Sequence, residues 1–497
     1  MNEVLIGLDI GTTNLKAVAV SLQGESVAEA TRRTPTKVIA PGSAEHDPQE
    51  LWAGIREALR ELTSSLIGKA KPIALATGSM GEAGVPLDGK NEPLYPIMVW
   101  HDTRPQAQLE KFQRDFGARE AYLRTALPLN SMWSVMKLMW LADNEPEVFA
   151  KIRRWICMED YAIWQLTGVQ ATSYSIACRT LAFNITQRAW DDDILSFAGL
   201  PQSIFPEAHP SGNVVGKVTK EAASMTGLPE GLPVATAGHD HLCGSVAAGA
   251  VMPGYALDSS GTTETIVMKI DTPQFSEPMI AAGYPQGCHV LPDKYVLYTG
   301  LRAGAVTLEW LAGVLGIDVP TLVAEAEKAP AGAAGVYFMP HLRGGGTSNV
   351  DPNSTALFYG LTDYANRTHL ARAALEGICY ELAMKLEFAK EVAGVEVQKI
   401  RTIGGGSRSP LWNQIRADII GLPVEVPRVT QATACGAALL AGLAVGAFKD
   451  WQQAAQIIPV EQAYQPDPAR RAEYQKNLDR IYRKLYPAVK PLYQKDS

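Results

Sequence analysis

A chain of 497 residues is too long for one ordinary core and divides into about three units of 150 residues, or two large ones. It is 46% hydrophobic, 20% charged and 8% aromatic, a folded composition that excludes long disordered or collagenous stretches. Forty-five Lys and Arg against 52 Asp and Glu leave a net charge of −7, so no nucleic-acid partner is expected, although a local anion site stays open.

Met1 to Gly7 shows no basic stretch, signal-length apolar core or small-residue cleavage site. The longest uncharged run, Ala434 to Phe448, is about 15 residues, short of the roughly 20 that a membrane span needs. It reads as a tightly packed buried helix, and no membrane association is expected. The cysteines Cys157, Cys178, Cys243, Cys288, Cys379 and Cys435 form no C-x-x-C and read as reduced thiols of a cytoplasmic protein.

Val4 to Asp9 is an apolar strand that Gly11-Thr12-Thr13 interrupts. Leu15 to Leu22 resumes an alternating pattern, and Gln23-Gly24 turns the chain into a third strand. Pro48 to Leu66 sets Leu51, Trp52, Ile55, Leu59 and Leu62 on one helical face, with Asp47 as N-cap and Pro48 in the first helical position. Ile73 to Thr77 is the next strand, and the alternation of elements predicts an α/β protein. Val234 to Thr236 is a strand leading into Ala237-Gly238-His239-Asp240. Tyr255 to Met268 then repeats the opening pattern of strand, Gly-Thr-Thr and strand, about 250 residues after its first occurrence. The repeat predicts two similar domains, 1–248 and 249–497, meeting across a cleft. Lys399 to Ile403 is a later strand, followed by Gly404-Gly405-Gly406-Ser407 and a helix over Pro410 to Ile420.

Asp9-Ile10-Gly11-Thr12-Thr13-Asn14 has the makings of an anion cradle, because Gly11 lets successive amides point at one spot and the threonines add donors. Asp9 offers oxygen to Mg²⁺ directly or through water. An ordinary hairpin turn with a solvated Asp is the plain alternative. The second turn, Gly261-Thr262-Thr263, allows a polyphosphate to be gripped from both sides, and a glycine-rich strand-to-helix turn suits a nucleotide. Gly84 to Asn91 resembles a Walker A motif but has Asn91 where a hydroxyl should hold magnesium, so Leu87 to Lys90 reads as a hairpin turn. His239 and His241 lack the companions of a zinc site. Asp240, after an apolar strand and a glycine, would project into a cleft where a base can reach a substrate hydroxyl, with a purely structural carboxylate as the plain alternative. Trp100-His101-Asp102-Thr103-Arg104 mixes a ring with polar groups, which suits either a carbohydrate or an aromatic anchor beside an Asp–Arg surface pair.

Together these residues resemble the FGGY family of carbohydrate kinases, within the actin, hexokinase and heat-shock-70 ATPase superfamily. Met132 to Asn144 resembles the family's first signature, and Ala356 to Leu361 with His369-Leu370 and Ala373 to Gly377 resembles the second. The opening Asp-x-Gly-Thr-Thr, the central Gly-x-Asp and the late Gly-Gly-Gly-Ser follow in family order over about 4–485. The resemblance implies two RNase H-like (actin-like ATPase) domains flanking a deep cleft, with ATP held mainly by the second and sugar mainly by the first. It implies Asp240 as catalytic base. Asp9, Gly11, Thr12, Thr13 and Asn14 would serve the phosphates and Mg²⁺, with Gly261 and Thr262 on the other side, and Gly405, Gly406 and Ser407 would border the adenosine. Met80, Glu82, Trp100, Asp102 and His241 would line the sugar site. A homodimer is compatible with it.

The substrate expected is a small sugar or polyol, a ketose first. Ser79-Met80-Gly81-Glu82 departs from the Arg-Glu of glycerol kinases and from the Gln-Met-His-Gly of xylulokinases, and His101 and His241 depart from Asn or Gln. A sugar-acid kinase of gluconate type is the alternative, with Arg104 as the one cation for a carboxylate. A non-catalytic ATP-dependent switch is the alternative from another class.

Overall fold

The computed structural model describes residues 2–346 and 350–493. Strand β1 (Asn2–Ile10) pairs antiparallel with β2 (Asn14–Ser21), and β2 with β3 (Ser26–Arg33). Helix α1 (Pro48–Leu66) returns the chain to β4 (Ala70–Ser79), parallel to β1 on its other side. Its bounds are those the sequence predicts: the Asp47 carboxylate accepts from the amides of Gln49 (2.8 Å) and Glu50 (3.0 Å), and Pro48 loses no helical bond in the first position. After helices α2 (Ser134–Asn144) and α3 (Met158–Thr167) come β5 (Val214–Lys217), β6 (Pro233–His239) and, directly from β6, helix α4 (Asp240–Ala247). The six-stranded sheet has the order β5-β6-β4-β1-β2-β3.

A second sheet is built from β7 (Tyr255–Ser260), β8 (Glu264–Ile270), β9 (Gln286–Cys288), β10 (Tyr295–Leu301), β11 (Lys399–Gly404), β12 (Val424–Pro427) and β13 (Val460–Tyr464). Helix α5 (Pro410–Ile420) lies between β11 and β12, and α6 (Ala432–Ala444) between β12 and β13. The order is β9-β10-β8-β7-β11-β12-β13. Apart from the extra edge strand β9, this repeats the first sheet strand for strand: two antiparallel pairings, two parallel ones, then an antiparallel edge. The duplicated Gly-Thr-Thr pattern in the sequence is the hairpin of β1 and β2 and its counterpart in β7 and β8.

Side chains alternate across a strand, and β1 divides its residues accordingly. Val4, Ile6, Leu8 and Ile10 pack with Leu51, Ile55, Leu59 and Leu62 of α1. Leu5 lies on the opposite face, in a layer with Ala434, Ala437 and Ala438 of α6 and Leu242, Cys243 and Val246 of α4. This layer also takes Leu257 and Val267 of the second sheet, so α4 and α6 lie between the sheets. Small residues make the fit possible. A Cβ on Gly7 would lie 1.7 Å from the Ala434 carbonyl oxygen, and one on Gly436 would lie 1.8 Å from that of Cys243. Asp9 shares the parity of Leu5 and Gly7, which turns its carboxylate toward the layer between the domains.

The predicted Ala434–Phe448 helix ends earlier, at Ala444, because Gly446 takes φ +75° and the chain folds Phe448 back against Gly442. All six cysteines are free and buried. Among the described residues no single helix is long and apolar enough to cross a membrane.

Candidate active site

Three parallel strands end together. Asp9 of β1 is level with Gly78 of β4, and Ser79 of β4 is level with His239 of β6, so Asp9, Met80 and Asp240 emerge along one sheet edge. Neighbouring strands lie about 4.8 Å apart, which puts the Asp9 and His239 backbones about 10 Å from each other. Burial pushes the Asp9 carboxyl up to about 7; Lys16, 4.0 Å away, opposes the shift and Asp240 adds to it. Asp9 Oδ1 is buried without a hydrogen-bond partner.

Asp240 opens α4, and its side chain is 27% exposed. Its own burial raises its pKa, but His241, His239, the His241 amide (2.6 Å) and Arg179 together outweigh burial and hold the carboxyl below its ordinary value. Burial drives His239 down to about 3, so that ring is neutral at physiological pH. Arg179 contributes a permanent positive charge beside Asp240, and Asp240 stands ionised, ready to accept a proton.

The turn after β1 is closed by the Gly11 amide donating to the Asn14 carbonyl (3.1 Å), and Thr34 ties it down through its hydroxyl to Gly11 O (2.7 Å) and its amide to Thr13 O (2.9 Å). Thr12 Oγ1 accepts from Trp100 Nε1 (3.0 Å) and lies 3.7 Å from Met80 Sδ. Thr13 is exposed. In the second sheet the Gly261 amide closes on the Thr263 carbonyl (3.0 Å), while the Gly304 and Ala305 amides bond Thr262 O and Gly261 O, each at 2.9 Å.

The triple glycine has three distinct jobs. Gly404 sits at φ +91°, and a Cβ there would lie 2.4 Å from Ser260 O. A Cβ on Gly406 would meet Ser260 Oγ at 2.0 Å and the Trp412 ring at 2.8 Å. Gly405 alone faces open space. Under this shelf Arg416 is fully buried. It bonds Ser260 Oγ (2.6 Å) and Glu264 (2.7 Å), pairs with Asp258 and stacks 4.1 Å over Trp412. Helix α4 joins the two halves of the site: Ile403, just before Gly404, lies 3.0 Å from where a Cβ on Gly244 would be, and Thr433 of α6 donates to the Asp240 carbonyl (3.2 Å). The four-residue step from Asp240 to Gly244 is about 6 Å along a helix.

Glu82 takes a left-handed backbone, φ +65°, unusual for a side-chain-bearing residue. Its carbonyl accepts from Ser134 Oγ (3.0 Å) and Lys137 Nζ (3.1 Å), and its carboxylate pairs with Arg179. Burial raises Glu82 while Arg179 and Lys137 pull it back; burial also pushes Lys137 down to about 8. The Arg179 guanidinium lies 4.7 Å from the Trp133 ring and 5.6 Å from that of Tyr298, whose hydroxyl is 3.4 Å from His239 Nδ1. Tyr298 belongs to β10 of the second sheet, so both domains wall this side.

Of the residues singled out in the sequence, the structure brings Asp9, Gly11, Thr12, Met80, Glu82, Trp100, Asp240 and His241 to the first-sheet edge, and Gly261, Thr262, Gly405 and Gly406 to the second. Two expectations need correcting. Asp102 is fully buried and both its oxygens are taken by Arg104, so it braces the Trp100 segment rather than presenting itself to a ligand. Arg104 divides its charge between Asp102 and Glu45 (2.8 Å) and is not free to meet a substrate carboxylate. Ser407 donates to Gly404 O (2.8 Å), which closes the glycine turn from within. Gly84–Leu87 is a strand, and the Asp88 carboxylate accepts from the Lys90 and Glu92 amides, so no phosphate loop forms there. Arg179 and Tyr298 had no sequence signal, whereas Lys137 lies within the Met132–Asn144 segment that resembles the family's first signature.

Two matched domains whose sheet edges carry a carboxylate pair on one side and glycine turns on the other define a phosphotransferase of actin-like ATPase fold, acting on an alcohol group. The N-terminal domain profile of the FGGY family of carbohydrate kinases matches residues 4–247, and the C-terminal domain profile matches 256–445. The chain belongs to that family. It is 30% identical to the xylulose kinase of Escherichia coli K12 over 98% of this chain and 99% of that one. It is 29% identical to the glycerol kinase of Pseudothermotoga lettingae over 97% and 98%. The gluconate kinase of Lactobacillus acidophilus shares the fold with a TM-score of 0.90, at 24% identity over 98% of each chain.

Proposed function

We propose that the protein transfers the γ-phosphoryl group of ATP to a hydroxyl of a small neutral sugar or polyol, a ketose first, with Asp240 as the general base. The observation that carries the reading is the Asp240 carboxylate: ionised, solvent-accessible, and set at the strand edge it shares with Asp9. The division of labour follows the two sheets, with residues 1–248 holding the sugar and the base and 249–497 holding the nucleotide.

Phosphoryl transfer has a loose transition state, so the protein acts by positioning and by neutralising charge. The Gly11–Asn14 and Gly261–Thr262 turns supply amides and hydroxyls for phosphate oxygens, and open space at Gly405 suits the adenosine. Asp9, with one buried oxygen unclaimed, fits the single protein carboxylate that Mg²⁺ commonly takes alongside nucleotide phosphates. Bound there, the cation would neutralise charge on the phosphoryl oxygens. Asp240 takes the hydroxyl proton as the new P–O bond forms; an ordinary carboxylate pKa suffices because that proton leaves late.

The neutral substrate is favoured over a sugar acid because three cations around this site, Arg179, Lys137 and Arg104, are already engaged within the protein. Arg179 faces Glu82, Lys137 is buried on the Glu82 carbonyl, and Arg104 is bound to Asp102 and Glu45. An aldonate carboxylate would meet the Glu82 and Asp240 carboxylates, and none of these three cations is free to receive it. Whole-length relatives named as kinases favour catalysis over a non-catalytic switch. The test is ADP release across ketopentoses, ketohexoses, polyols and aldonates. One neutral sugar should accelerate turnover, aldonates should not, and Asp240→Asn should lose about 10³-fold in kcat while still binding ATP. Full activity of Asp240→Asn would remove the base.

A further inference from the structure

Strand β6 does not run evenly into Asp240. Thr236 is level with Thr77 of β4 and Gly238 with Gly78, so Ala237 is an extra residue, a bulge three positions before the proposed base. A bulge re-aims the residues beyond it and leaves an amide without a strand partner. Ala237 is fully buried, so water cannot serve that amide.

The partner comes from α3. Glu159 Oε1 accepts from the Ala237 amide at 2.8 Å. Its other oxygen is bound to Ser173 Oγ at 2.6 Å, and Ser173 Oγ lies 3.2 Å from Ser175 Oγ. Ser175 Oγ in turn accepts from the His239 amide at 3.1 Å. The chain in between fits this bracket closely: Gly238 is at φ +116°, and a Cβ there would lie 2.1 Å from Ser175 Oγ. Glu159 and Ser173 are fully buried and Ser175 nearly so. Neither Glu159 nor Ser175 is bonded to Asp240.

We propose that Glu159, with Ser173 and Ser175, is a positioning bracket that fixes the Ala237 bulge and thereby aims Asp240. The inference rests on Asp240 being the base. Burial and the neighbouring Asp160 push the Glu159 carboxyl up to about 8, and a glutamine keeps an acceptor oxygen for the Ala237 amide while its NH2 can donate to the Ser173 hydroxyl. Removing the acceptor strands a buried amide and frees the bulge.

The test compares Glu159→Gln with Glu159→Met, which keeps the volume and loses the acceptor. The Gln variant should stay within about threefold of the wild-type kcat, and the Met variant should lose about 30- to 100-fold in kcat while KM for ATP moves less than about twofold. Amide hydrogen exchange gives a readout free of turnover: Ala237 should exchange at least about tenfold faster in the Met variant than in the Gln variant. If Glu159→Met does not fold, Ser175→Ala takes its place, with kcat lower by about tenfold and faster exchange at His239. Equal kcat for Met and Gln variants, or unchanged exchange at Ala237, overturns the bracket. If the wild type releases ADP with no sugar, the kinase reading fails, whereas the exchange measurement still decides whether Glu159 holds the bulge.

Discussion

Replacing Asp9 by asparagine should stabilise the ligand-free protein as it removes turnover. Wild-type Asp9 is 6% exposed, and its pKa lies at about 7 against 3.8 for an ordinary aspartate. The signs come from proton counting. Below pH 4 both states hold the proton. From about 4 to about 7 the folded chain keeps a proton that the unfolded chain has released, so stability falls as pH rises, by about 1.4 kcal/mol per unit. Above 7 the penalty is constant at about 4 kcal/mol. Asparagine escapes this penalty but still buries an amide and gives up the long Lys16 contact, each about 1 kcal/mol, which leaves a net gain of about 2 kcal/mol at pH 8. Between pH 5 and pH 8 its advantage over wild type should grow by about 3 kcal/mol. For 497 residues the unfolding entropy is about 1 kcal/mol/K, so the difference in Tm should widen by about 3 °C. Differential scanning calorimetry at the two pH values, without nucleotide or divalent cation, measures it. An ADP-release assay with Mg²⁺ and ATP should show the variant inactive, and Mg²⁺ with ATP should raise Tm more in the wild type than in the variant. A Tm difference that is the same at pH 5 and pH 8, or a variant less stable at pH 8, would refute the reasoning.

The two adjacent glycines of the proposed nucleotide shelf should respond differently. Gly405 has helical dihedrals and open space, so Gly405→Ala should keep the wild-type Tm and weaken ATP binding in a calorimetric titration, whereas Gly406→Ala, driven into Ser260 and Trp412, should lower both. Arg179→Met leaves the buried Glu82 carboxylate unpaired and should cost about 3–5 kcal/mol in thermal unfolding. The double variant with Glu82→Gln should recover most of that stability but still show a raised KM for the sugar. Gly436→Val, pushed into the Cys243 carbonyl, should pry α4 from α6 and be among the least stable single variants in the same calorimetric series.

What could be read from the sequence was local. Asp47-Pro48 announces the start of α1, the strand-to-glycine transitions mark the ends of β1, β7 and β11, and Ser409-Pro410 starts α5, where Ser409 Oγ accepts from the Trp412 amide. The place of Asp240 at a strand end was legible because it closely follows an apolar run and a glycine. The rest depends on contacts between distant residues. Arg179 meets Glu82 across 97 positions, and no spacing rule links them. Trp100 to Arg104 left its role open because an Asp–Arg pair looks alike whether it greets a ligand or braces a loop; only the burial of Asp102 separates the two. The bulge at Ala237 is a property of strand register, and register is set by the partner strand.

The repeated sheets also carry a broken symmetry. Two residues before the glycine of the first turn stands Asp9; two residues before the glycine of the second stands Ser259, a hydroxyl that cannot carry a charge. A perfectly mirrored ancestor would have had no preferred direction across its cleft. If a divalent cation binds as proposed, the Asp9 bank is where it would sit, and the last phosphate of the nucleotide would then point toward that bank and Asp240.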